Sequence, residues 1–171
     1  DGLAAILPDA VKPDAVRAML RGAIVKASPA TARDGDSVWL VNRRAIRIGR
    51  IVIAAPGLPA SSEAIVLTDS TAFGTGHHPT TALCIEAIDE ALTISIPESI
   101  LDVGTGSGIL ALAALRMGVP RAVGVDIDPA ALVIAAEHAR LNNLSDRLEL
   151  LAGGPDVVGE RGALVVANIL A

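Results

Sequence analysis

Ser99 to Pro129 reads S-I-L-D-V-G-T-G-S-G, then I-L-A-L-A-A-L-R-M-G, then V-P-R-A-V-G-V-D-I-D-P. Ile100, Leu101 and Val103 make a short apolar run suited to a strand buried on both faces. Gly104, Gly106 and Gly108 follow at once, and glycines so placed let the backbone turn sharply and approach a ligand without a Cβ in the way. Ile109 to Met117 is rich in helix formers and is stopped by Gly118 and Pro120. Ala122 to Val125 is a second strand, with Asp126 at its carboxyl end. The stretch predicts strand, glycine loop, helix, strand.

A crossover of this length joins parallel strands as a βαβ unit. Its ligand site lies beyond the carboxyl ends of the strands, where the glycine loop meets Asp126. A carboxylate there can accept hydrogen bonds from vicinal ribose hydroxyls, so a nucleoside-containing ligand is expected. The dinucleotide fingerprint is G-x-G-x-x-G, with the pyrophosphate on the helix amides. Here the spacing is G-x-G-x-G, and Asp102 stands two residues before the first glycine. A carboxylate beside the loop suits a cationic group better than a pyrophosphate. The D-x-G-x-G-x-G pattern resembles motif I of the class I S-adenosylmethionine-dependent methyltransferases. Two readings stay beside it: a plain glycine turn, and an NAD-binding Rossmann domain.

Asp69 to Thr81, D-S-T-A-F-G-T-G-H-H-P-T-T, is the second informative stretch. Gly74 and Gly76 make a loop, His78 or Thr80 can cap the following helix, and Pro79 suits its first turn. That helix is expected to bury Cys84, Ile88, Ala91 and Leu92, making Cys84 a core residue and not a nucleophile. His77 and His78 have no third ligand of the right kind nearby in sequence, so no metal site is expected.

Downstream, Asp128-Pro129 is a helix start, cap then first-turn proline. The helix is read to Leu141, with Leu132, Ala136 and Ala139 inward, Glu137 and Arg140 outward, His138 on the surface and Asn142-Asn143 at its end. Leu148 to Leu151 and Ala163 to Ala167 are further strands around a glycine-rich loop, and Asn168 falls on the rim shared by Gly104 and Asp126. Upstream, Val38 to Val41 and Ala45 to Ala55 read as strands with a turn at Asn42-Arg43, and Ala64 to Thr68 as another, together an antiparallel lead-in. Pro13 to Leu20 suits a helix and Ala23 to Ala27 a strand. Residues 1–37 carry no recognisable chemistry and read as a linker or the remnant of another domain. Residues 38–171 read as one α/β domain.

The chain has 171 residues, 51% hydrophobic and 1% aromatic, so its core must be built from Ala, Val, Ile and Leu. A formal net charge of −5 argues against a nucleic-acid surface spread over the chain. Arg43, Arg44, Arg47 and Arg50 read as a solvated strand face. Cys84 is the single cysteine, which rules out an intrachain disulfide and suits a reducing, cytoplasmic compartment. No apolar run approaches the ~20 residues of a membrane span, and no signal peptide is visible.

Three blocks, A-F-G-T-G-H-H-P-T-T (72–81), L-D-V-G-T-G-S-G-I-L (101–110) and A-N-I-L-A (167–171), resemble the ribosomal protein L-11 methyltransferases, and V-D-I-D-P (125–129) fits as well. The first and last blocks are more specific than motif I. The resemblance implies a Rossmann-like class I methyltransferase fold, with helices on both faces of the sheet and a β-rich lead-in. That class completes seven strands, so the sheet is expected to be truncated after its fourth strand. The resemblance implies methyl transfer from S-adenosylmethionine to lysine side chains and the N-terminal amine of a ribosomal protein. Residue by residue, it implies cofactor contacts at Thr81, Asp102, Gly104, Gly106, Asp126 and Asn168, and at Phe73 in a loop running to His78. It implies a place for Asn168 beside the methyl acceptor, and His77 and His78 are candidates to carry the acceptor's proton. The family pattern has threonine where His77 stands, and its separate domain for docking the ribosomal protein has at most its tail in residues 1–37. A relative acting on another protein or a small molecule stays open, as does a module that binds the cofactor without catalysis.

Overall fold

The computed structural model describes residues 45–55, 57–58, 64–68, 79–158 and 164–169, all within the compact unit Ser37–Ala171. The sequence readings at 1–44 and 69–78, including Phe73, His77 and His78, lie outside the described residues.

A small sheet comes first, in the order β1 (Ile46–Ile48), β2 (Ile51–Ala54), β3 (Ile65–Val66). The run from Ala45 to Ala55, expected to be one strand, is a hairpin. Ile48 pairs with Ile51 and the chain reverses at Gly49-Arg50. Gly49 takes φ +54°, the left-handed value that a two-residue hairpin turn accepts from glycine. It also makes room for the helix Pro79–Ile94, because a Cβ here would lie 2.7 Å from Asp89 Oδ2, and Asp89 Oδ1 receives the Arg50 Nε hydrogen bond at 2.6 Å. The lead-in is antiparallel only between β1 and β2, since β3 runs parallel to β2.

The main sheet follows as α1 (Pro79–Ile94), β4 (Ser99–Val103), α2 (Ile109–Arg116), β5 (Arg121–Asp126), α3 (Pro129–Leu141), β6 (Leu148–Ala152) and β7 (Leu164–Ala167). All its pairings are parallel and its order is β6-β5-β4-β7. The chain moves outward from β4 through β5 to β6, then returns to the other side of β4. The strand order therefore reverses between β4 and β7.

Alternation along the strands divides the core into two faces. Ile100, Ala122, Leu148, Leu164 and Val166 belong to one cluster with residues of α1, α2 and α3. Leu101, Val103, Val123, Val125 and Leu151 form the second with Val158, from a 3-10 turn at Pro155–Val158. Among the described residues no helix is long and apolar enough to cross a membrane.

Both long helices turn a face slightly different from that expected. α1 buries Thr81, Ile85, Ile88 and Leu92, while Cys84 is half-buried against the core edge. α3 buries Ala131, Ala135, His138 and Ala139, not Leu132 and Ala136. In so alanine-rich a helix a shift of one residue costs little apolar contrast, so packing against β5 and β6 decides. Asp128 does cap α3, its side chain accepting from Ala130 N at 2.9 Å, with Pro129 in the first turn.

The end of α3 fastens β3 to the rest. Asn142, 2% exposed, accepts from Val66 N at 2.8 Å and donates to Val66 O at 2.7 Å, as a neighbouring strand would. Its Nδ2 also donates to His138 O at 2.7 Å. On the far side, Arg147 donates to the carbonyls of Leu115, Val119 and Pro120 and so ties the exit of α2 to the start of β6. Asn142→Leu leaves both backbone groups of Val66 unpaired at about 1–3 kcal/mol each. We expect the variant to be destabilised in urea and its Val66 amide to exchange with deuterium faster than amides of β5.

Candidate functional site

The glycine loop joins β4 to α2 at the carboxyl rim. Gly104 N and Thr105 N both donate to Val125 O at 2.9 Å, so the loop leans over the end of β5. Gly104, Gly106 and Gly108 all take positive φ, at 68°, 53° and 78°. A Cβ on Gly104 would run into the side chain of Ile169, just beyond β7. The two limbs of the crevice between β4 and β7 thus meet with only a hydrogen atom between them.

Asp126 closes the rim on the β5 side. Its Oδ2 accepts from Gly106 N at 2.8 Å and its Oδ1 from Asp128 N at 3.0 Å. A carboxylate has about four acceptor sites. The half-exposed Asp126 therefore keeps capacity for further donors from the crevice. On the β7 side, Asn168 Nδ2 lies 3.4 Å from Thr81 Oγ1, a weak contact between residues 87 apart in sequence. Gly104, Gly106 and Asp126 stand together on one rim, and Thr81 and Asn168 stand together beside β7.

Asp102 occupies a different place. It is 1% exposed and lies beneath the loop on the helix side of the sheet. Its Oδ2 accepts from Thr105 Oγ1 at 2.8 Å and from Ala111 N at 3.2 Å. These bonds hold the loop onto the first turn of α2. Burial pushes its carboxyl up to about 6, with Asp126 adding to the rise and the Thr105 and Ala111 bonds opposing it. Burial also pushes the Cys84 thiol up, with Asp102 adding to it, so the thiolate is disfavoured.

Two features of the site escaped the sequence reading. The first is Gly124, paired opposite Asp102. A Cβ there would meet Thr105 Oγ1 and Leu150 Cδ2, each at 2.9 Å, so glycine in β5 lets the loop seat its threonine. The second is His138, expected on the surface and found 1% exposed. Its Nδ1 lies 2.8 Å from Ser107 O, and its Nε2 lies 3.1 Å from Thr68 N and 2.9 Å from Thr68 Oγ1. Burial holds it below the ordinary imidazole range. The signal was the stripe Ala131, Ala135, His138, Asn142, which follows one helix face.

A parallel α/β sheet with a reversal of strand order beside the central strand, a glycine loop at its carboxyl rim and an acid ending the next strand is a Rossmann-like arrangement, and likeness to a solved methylase of this fold makes it a class I methyltransferase fold. Residues 20–171 match the family described as Ribosomal protein L11 methyltransferase (PrmA). The chain belongs to that family. It is 38% identical over 143 residues to the ribosomal protein L11 methyltransferase of Photobacterium profundum, covering 81% of this chain and 48% of the relative. It is 40% identical over 152 residues to that of Pelobacter propionicus, covering 84% and 49%. The crystal structure of ribosomal protein L11 methylase from Lactobacillus delbrueckii subsp. bulgaricus superposes with a TM-score of 0.63 at 32% identity, over 74% of this chain and 67% of that one. The chain spans about half the length of the curated relatives it matches.

Two measurements test this geometry. Gly124→Ala overpacks the seat of Thr105 and should lower stability by about 1–3 kcal/mol in urea denaturation. The second concerns pH. Asp102 contributes most to stability below the ordinary carboxylate value of 3.8, and that contribution is lost as pH rises through about 6. His138 acts in the opposite sense: its contribution is present above the ordinary 6.5 and is lost as pH falls. Removing the first contribution with Asp102→Asn should make stability climb more steeply between pH 4.5 and 6.5 than in the wild type, read from urea midpoints across that range.

Proposed function

We propose that the chain carries the S-adenosylmethionine site of an enzyme that methylates amino groups of ribosomal protein L11, namely lysine side chains and the N-terminal amine. Family membership supports the reaction. The observation that carries the reading is the junction of the glycine loop with Asp126, a half-exposed acid that keeps acceptor capacity on the carboxyl rim. In this reading residues 38–171 are the methyltransferase domain and residues 1–37 a separate N-terminal stretch. A ribosomal-protein substrate implies a cytoplasmic enzyme.

Asp126 receives the ribose hydroxyls, and the backbone at Gly104 and Gly106 lies along the ligand. Asp102 serves the site from beneath by fixing Thr105 and the start of α2. Thr81 and Asn168 supply the polar edge beside β7, with Asn168 nearest the acceptor, and the family resemblance adds Phe73, outside the described residues, as a cofactor contact. S-adenosylmethionine, when bound, supplies a methyl group already activated by its sulfonium. The chain's own task is orientation, holding an acceptor nitrogen in line with that methyl. A lysine reacts only as the neutral amine, and removal from water lowers its pKa. No general base is therefore required, and His77 and His78 are the candidates to carry the released proton.

Calorimetric titration with S-adenosylhomocysteine and, separately, with NAD tests the cofactor. The wild type is expected to bind the first alone. Asp126→Ala should weaken that binding by at least about tenfold, since hydrogen bonds to a charged group contribute ~1.5–3 kcal/mol. Binding of NAD alone, or an unchanged affinity in the variant, would overturn the assignment. Transfer of a labelled methyl group to purified ribosomal protein L11 tests the acceptor separately. Label on other proteins but not on L11 would reject that substrate while sparing the cofactor.

A further inference from the structure

His138 takes no part in the chemistry above, yet it is a buried polar side chain with defined partners at both ring nitrogens. The carbonyl of Ser107 can only accept, so Nδ1 must carry a proton and donate at 2.8 Å. The backbone N–H of Thr68 can only donate, so Nε2 must accept at 3.1 Å. The Thr68 hydroxyl stands 2.9 Å from the same nitrogen. The two backbone partners fix one neutral tautomer. They belong to different parts of the molecule: Ser107 lies between Gly106 and Gly108 of the glycine loop, and Thr68 lies two residues beyond β3. One turn further along α3, Asn142 holds both backbone groups of Val66. α3 is thus a clamp whose closing Asn142 grips β3 and whose His138 joins the stretch just beyond β3 to the glycine loop.

We propose that His138 is a positioning residue for the cofactor site, holding the glycine loop in register with the end of β3 by bridging the Ser107 carbonyl to the Thr68 amide. The Ser107 carbonyl shares its peptide unit with Gly108 N–H, which donates to Thr105 O at 2.8 Å, and the Thr105 carbonyl shares its own unit with Gly106 N–H, which contacts Asp126. Fixing that carbonyl fixes the plane in which the loop presents its neighbouring amides. Thr68 leads in sequence into Asp69–Thr81, so the same ring also sets the point from which that stretch departs. The proposal rests on the S-adenosylmethionine reading for the identity of the ligand, though not for the bridge itself.

The test compares wild type, His138→Leu, His138→Gln and Thr68→Val, each at a temperature where circular dichroism shows it folded. The first readout is S-adenosylhomocysteine affinity by calorimetry. The second is deuterium exchange at the Gly106 amide against amides of β5, without ligand. His138→Leu keeps the bulk and loses both hydrogen bonds, so it should weaken affinity by roughly tenfold, equivalent to about 1.4 kcal/mol, and speed exchange at Gly106 selectively. His138→Gln keeps a donor and an acceptor and should recover part of both. Thr68→Val removes only the hydroxyl and keeps the amide of the bridge, so it should have a smaller effect in the same direction, and His138→Gln keeps the test decisive if His138→Leu does not fold. A lower melting temperature with unchanged affinity and unchanged Gly106 exchange in the folded variants would make His138 merely structural and overturn the proposal. If the wild type binds no S-adenosylhomocysteine, the cofactor reading fails and the exchange measurement alone decides the bridge.

Discussion

One carbonyl organises the centre of this molecule. Val125 O accepts from both Gly104 and Thr105, so the chain leaving β4 cannot run straight on and must fold over the end of β5. Much of the neighbourhood follows from that bend. The loop needs backbone conformations that glycine supplies, β5 needs a residue without a side chain beneath Thr105, and Thr105 needs an acceptor, which Asp102 provides. The same bend brings Gly106 N to the Asp126 carboxylate and aims α2 away from the rim. The ligand site is the exposed surface of an arrangement whose reasons lie underneath it.

The core is made almost wholly of aliphatic residues and alanine, which pack well but discriminate poorly between neighbouring registers. Polar groups supply the discrimination. Asn142 imitates a β-strand against Val66, and Arg147 gathers the carbonyls at the end of α2. Each such group would be costly to bury elsewhere, so each permits one arrangement. The small sheet is held to the larger one largely by apolar contact, with directional bonds from α3 setting its position.

The sequence made the central βαβα unit legible because its signals are local: an apolar run, three glycines, a stop at Gly118-Val119-Pro120 and a capped helix start at Asp128-Pro129. Gly104, Gly106 and Asp126 could be grouped on one rim for the same reason. Asn168 could be placed on the rim from its position after the strand, and the family resemblance named Thr81 and Asn168 each as a cofactor contact, but their contact with one another could not be read from spacing. The hairpin at Gly49 was hidden inside an alternating apolar run, where one glycine looks like any outward-facing position. The inward faces of α1 and α3 were misjudged because alanine gives a weak pattern, and His138 was misjudged because its partners Ser107 and Thr68 are 31 and 70 residues away. Burial of a polar residue depends on what meets it, and that is written in other parts of the chain.

The reversal of strand order has a kinetic side. β4, β5 and β6 pair in chain sequence, each to the next, across connections of one helix. β7 must return across the whole of that unit to lie against β4. Closing the larger loop carries the greater entropic cost before any contact rewards it. The assembly order implied is that β4 to β6 can form a partial sheet with α2 and α3 already seated, and β7 arrives afterwards. Asn168 and Ile169 travel with β7, so the crevice has only one wall until β7 docks. By this order the rim around Gly104 gains its second wall later than the sheet of β4 to β6.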